Sequence, residues 1–87
     1  AYTREADVMS LIEKAAEKCW KDNSGSSKSS VCEKLTVNLT EGLSKAAIEN
    51  RLKYSNVPQE SLVAEDISGF SQVVVSYRQG KIYIGNR

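Results

Sequence analysis

The spacing of apolar positions changes several times along the chain, and each change marks an element. Val8, Leu11, Ile12, Ala15, Ala16 and Cys19 recur at three- and four-residue steps, with Asp7, Ser10, Lys14, Glu17 and Lys21 falling opposite. That period predicts an amphipathic helix from about Arg4 to Lys21. Thr3 is the expected cap, and Glu5 and Asp7 occupy the first turn, where the helix dipole favours negative charge. Glu17 and Lys21 form a favourable i, i+4 pair. Met9 and Trp20 flank the stripe, and Trp20 is expected at the margin of the core.

The period then disappears. Asp22 to Ser30 holds five serines, one glycine and no apolar residue, the composition of a flexible surface loop. Lys18, Lys21, Lys28 and Lys34 give it a diffuse basic edge. From Val31 to Leu39 the pattern alternates: Leu35, Val37 and Leu39 point inward, and Lys34, Thr36 and Asn38 outward, as in a half-buried strand. By that parity Cys32 would face outward, so the regular strand is expected to begin only after it. A second helical stripe follows in Leu43, Ala47, Ile48 and Leu52, starting at Thr40 or Ser44. Gly42 favours Ser44, and Tyr54 to Pro58 ends the helix. Pro58 to Gly69 reads as a short helix or irregular loop, with Phe70 expected to plug the core.

The strongest signal is the last one. Val73 to Arg78 and Lys81 to Gly85 are rich in β-branched and aromatic residues around Gln79-Gly80, which predicts a β-hairpin. A two-residue loop places Val73, Val75, Tyr77, Ile82 and Ile84 on one face and Val74, Ser76, Arg78, Lys81 and Tyr83 on the other. A three-residue loop with Gly80 in a bulge mixes the two sets. A one-residue slip moves a whole apolar set across the sheet, so the clean partition favours the two-residue loop. The elements sum to a single α+β domain over residues 1–87, a two-layer sandwich with two helices on a three-stranded, mainly antiparallel sheet. The expected order is helix, strand, helix, short segment, strand, strand.

Composition narrows the chemistry. Net charge is +1 with 26% charged residues, which is no footprint for nucleic acid. No apolar run reaches the length of a membrane span. The chain opens on Ala1-Tyr2 without Met, the expectation for a mature form whose leader or anchor has been removed. Cys19 and Cys32 are the two cysteines. An even count in a small chain points to one disulfide and an oxidising compartment, and with no His a metal site is not expected. No cofactor motif is present.

The absence of His also removes the commonest general base and the usual partner of a Ser or Cys nucleophile. Glu65-Asp66 is the only adjacent carboxylate pair. Asn38-Leu39-Thr40 fits the glycosylation pattern, a match of low specificity. The surface signal is Tyr83 between Arg78 and Lys81 on the outer sheet face, a composition enriched at protein interfaces. Ser44 to Leu52, followed by a hairpin ending Gly80-Lys81-Ile82-Tyr83-Ile84-Gly85, resembles the helix and hairpin of BON domains of bacterial envelope proteins. The resemblance covers under half the chain, and the spacer from Pro58 to Gly69 is longer than that family's, so no family is assigned.

The expected function is a secreted or periplasmic, non-enzymatic protein-binding module: an inhibitor, an immunity-type protein or an envelope-assembly adaptor. Arg78, Lys81 and Tyr83 are its expected contacts, another protein is its partner, and the fragment itself does not insert into membrane. The alternative is the soluble domain of a membrane-anchored structural subunit of a pilus or secretion system, with the first helix continuing upstream into the anchor. The least favoured reading is a small carboxylate-dependent enzyme or toxin using Glu65 and Asp66.

Overall fold

The computed structural model describes residues 2–86. Helix α1 spans Glu5–Asn23 and buries Val8, Met9, Ile12, Ala16 and Cys19; of the expected stripe, Leu11 and Ala15 are only partly buried at its margin, and Met9 takes a buried place instead. Its N-cap is Arg4 rather than Thr3, and no side chain caps it. The expected Thr3 cap is therefore corrected: Glu5 and Asp7 remain to complement the free N–H groups of the first turn. Helix α1 begins at Glu5. Arg4 is extended, and Tyr2 joins the sheet edge, donating to the Thr36 carbonyl at 3.0 Å and accepting from the Asn38 N–H at 2.8 Å.

Strand β1 runs Ser30–Asn38 and pairs antiparallel with β3, Phe70–Arg78. Its ladder is interrupted between Val31 and Glu33 by a bulge. An extra residue at a bulge shifts the alternation by one position. The parity conflict at Cys32 is resolved this way, and the strand begins before Cys32 rather than after it. Helix α2, Lys45–Leu52, starts as the Gly42 argument favoured: the Ser44 hydroxyl accepts from the Ala47 N–H at 3.1 Å. The Asp66 carboxylate accepts from the Lys45 N–H at 2.7 Å, satisfying a second free donor of that helix end.

The segment after Pro58 holds the main correction. A single 3₁₀ turn at Gln59–Ser61 leads directly into β2, Leu62–Ala64. This short strand pairs in parallel with β4, Lys81–Asn86. The sheet therefore has four strands in the order β1-β3-β4-β2 and is mixed, not three-stranded. Entering β3 from β2 takes the chain past the end of β4, and this crossing is tightly bonded. Leu43 and Ile67 exchange N–H···O bonds of 3.0 and 2.7 Å. Asn86 accepts from the Ser68 N–H and the Ser71 hydroxyl and donates to the Asp66 carbonyl. Gly42 sits here at φ +72°, where a Cβ would collide with the Ile67 carbonyl.

The hairpin has the two-residue loop. Arg78 pairs with Lys81, Tyr77 with Ile82 and Val75 with Ile84. Gln79 and Gly80 both take positive φ, 52° and 78°, as a type I′ turn requires. Val73, Val75, Tyr77, Ile82 and Ile84 are all buried and join Leu35, Val37, Ile12, Ile48 and Leu52 in one apolar cluster. Trp20 is half-buried against that cluster, its ring 6.4 Å from Tyr77. Phe70 is not in the core. It is 75% exposed, because it shares parity with Val74 and lies in register with outward-facing Asn38.

Candidate functional site

Both helices bury their apolar stripes against one face of the sheet, and among the described residues no element covers the other face. Its residues follow from register. Lys34 lies opposite Val74, Thr36 opposite Gln72, Asn38 opposite Phe70, and Val31 opposite Ser76. Ser76 lies opposite Tyr83, and Arg78 opposite Lys81. Val63 faces the same way beside Tyr83. The three residues expected to form a contact surface, Arg78, Lys81 and Tyr83, are thus brought together at the hairpin end of this face. The Arg78 guanidinium lies over the Tyr83 ring, 4.4 Å from its centroid. At an exposed site such a pair contributes about 0.5–1 kcal/mol, a few-fold bias towards this placement of the cation. Among the described residues the one ion pair is Arg51–Glu13 at 3.5 Å, far from this face in the fold.

Two shallow hollows flank the Ser76–Arg78 ridge. One, of about 280 Å³, is floored by Val31 with Ser29, Ser30 and Ser76 around it. Val31 is 56% exposed. The other, also about 280 Å³, lies between Val74, Tyr83, Gly85 and Glu65. Gly85 has no side chain on the outer face, and the Glu65 side chain occupies the space where a Cβ would stand. The placement of Glu65 could not be read from the sequence, because it depends on β2.

No family model matches this chain, no curated protein matches it, and no solved structure matches it. Its chemistry must therefore be judged from its own residues.

The carboxylate pair divides its work. Asp66 is engaged with the Lys45 N–H, and Glu65 lies against Gly85 on the outer face. Among the described residues no cluster of three His, Cys, Asp or Glu side chains is placed to hold a metal ion. Cys19 and Cys32 are joined in a disulfide, with Cα atoms 5.6 Å apart. Asn23 covers the bond: its amide donates to the Cys19 carbonyl at 2.9 Å and approaches the Cys32 sulfur at 3.6 Å. A hollow of about 300 Å³ beside the bond is lined by Lys18, Asp22, Ser30 and Glu33 among others. The serine-rich loop is anchored, since its Ser26 carbonyl accepts from the Tyr77 hydroxyl at 3.0 Å. Among the described residues no helix is long and apolar enough to cross a membrane.

Proposed function

We propose that this chain is a non-enzymatic protein-binding module of an oxidising compartment, secreted or periplasmic, that engages its partner through the uncovered face of the sheet. The observation that carries the reading is the one-sided placement of the helices. It leaves Val31, Val74, Tyr83 and Phe70 facing outward among Lys34, Arg78 and Lys81. Apolar and aromatic groups ringed by cations, with Arg fixed on Tyr, make up the composition that anchors protein interfaces. The Cys19–Cys32 bond supports an oxidising compartment, where such bonds persist. An inhibitor, an immunity-type protein or an envelope-assembly adaptor would each use such a face.

The test compares immobilised wild-type chain with the Arg78→Glu/Tyr83→Ala variant as bait in extracellular and periplasmic extracts. A partner retained by the wild type is expected to be lost by the variant, which keeps its thermal melt. If that partner's affinity is unchanged, this face is not the binding surface.

A further inference from the structure

The outer face also carries information about the chemistry of what it binds, and the following inference rests on the protein-binding reading above. Three cations stand on it: Lys34 on β1, Arg78 on β3 and Lys81 on β4. None of them is in an ion pair with another described residue. Among the described residues the one carboxylate on the face, Glu65, lies over Gly85 on the side of β2. The remaining surface between the cations is apolar or small: Val31, Val74, Ser76 and the ring of Tyr83. The whole chain carries only +1, so this concentration of positive charge belongs to the face and not to the molecule.

We infer that the face takes an extended acidic segment of a partner protein, with a carboxylate on Arg78 and an apolar side chain in each of the two flanking hollows. The geometry favours that arrangement. Arg78 stands between the Val31 hollow and the Val74–Tyr83–Gly85 hollow and lines both. Its guanidinium is biased towards the Tyr83 ring, so somewhat less side-chain freedom is lost when a carboxylate pairs with it. Lys81 directly opposes Arg78 across the hairpin. Two like charges so placed repel one another in the free protein, and an anion between them relieves that repulsion. A nucleic acid backbone is the weaker fit. It calls for a longer row of cations, and the Glu65 carboxylate that lines the second hollow would repel a phosphate drawn across it.

The experiment pans a displayed library of random linear peptides against the intact, oxidised chain. Enriched peptides are expected to be net negative, with a carboxylate flanked by apolar residues. Their binding is expected to weaken with added salt and to fall at least about tenfold in the charge reversal Arg78→Glu/Lys81→Glu. Lys53→Glu, on the helix side, is expected to change nothing. Val31→Asp tests the apolar hollow separately, and each variant's thermal melt confirms its fold. Peptides that map to this face but are neutral or basic overturn the inference and leave the protein-binding reading standing. Binders insensitive to every outer-face substitution overturn both. A single-stranded oligonucleotide that outcompetes the peptides at Arg78 and Lys81 overturns the acidic-segment assignment in favour of a phosphate backbone.

Discussion

Breaking the Cys19–Cys32 bond is the perturbation whose size follows most directly from the structure. The two residues are 13 apart in sequence, so the bond closes a loop of about 14 residues, worth about 3 kcal/mol in the chain-entropy account. A domain of this length has a total stability of roughly 4–13 kcal/mol, so the bond supplies a large share of it. At about 4–8 °C per kcal/mol for a domain this small, reduction should lower the melting temperature by about 12–24 °C. The cleanest assay melts oxidised and reduced wild type side by side, because no atoms are removed. Cys19→Ala/Cys32→Ala is the second arm. Cys19 is only 1% exposed, so its truncation should add roughly 1 kcal/mol through the small cavity left behind. Serine at that site would bury an unpaired hydroxyl and confuse the comparison. If reduced protein melts within about 5 °C of the oxidised form, the bond is worth about 1 kcal/mol or less. The corner between α1 and β1 would then be held by its packing.

Two further substitutions probe the chain crossings. Gly42→Ala should cost more than about 2 kcal/mol, since positive φ alone costs about 1–2 and the new Cβ also meets the Ile67 carbonyl. Gly25→Ala, at φ +87° with nothing nearby, should show only the conformational part, and equal losses in urea melts would refute the steric argument. Tyr77→Phe should cost about 1 kcal/mol by leaving the Ser26 carbonyl without its donor. Hydrogen exchange should rise across residues 24–29, and unchanged exchange there would show that the loop is held by something else.

The hairpin was legible because two signals agreed. Alternation in both arms and a two-residue Gln79-Gly80 loop admit one clean partition of apolar side chains, and the contact trio Arg78, Lys81 and Tyr83 follows from that register. Strand β2 was not legible for a physical reason. Three residues, Leu62 to Ala64, are too few to display a period of two, and the strand's partner β4 lies nearly twenty residues further on, in a parallel ladder no local pattern announces. Missing β2 also hid Glu65's place on the outer face. Phe70 is a different case. Its parity with Val74 and Ser76 places it outside, and alternation along a strand, not the hydrophobicity of one side chain, decides which face that side chain takes. At Cys32 the alternation itself signalled an irregularity. A single added residue, the bulge, lets the cysteine reach Cys19 while Leu35 and Val37 keep their inward aim.

The strand order has a consequence for how the protein is made. Each outer strand has one arm of the hairpin as its only strand neighbour, and both arms are synthesised after both outer strands. Until the hairpin emerges, Leu35, Val37 and Leu62 have no ladder to join, and nearly forty residues separate Leu35 from its mate Val73. The two thiols stand much nearer to one another along the chain. Oxidation can therefore precede sheet assembly, so that the nascent polypeptide meets its last two strands with one corner already tied.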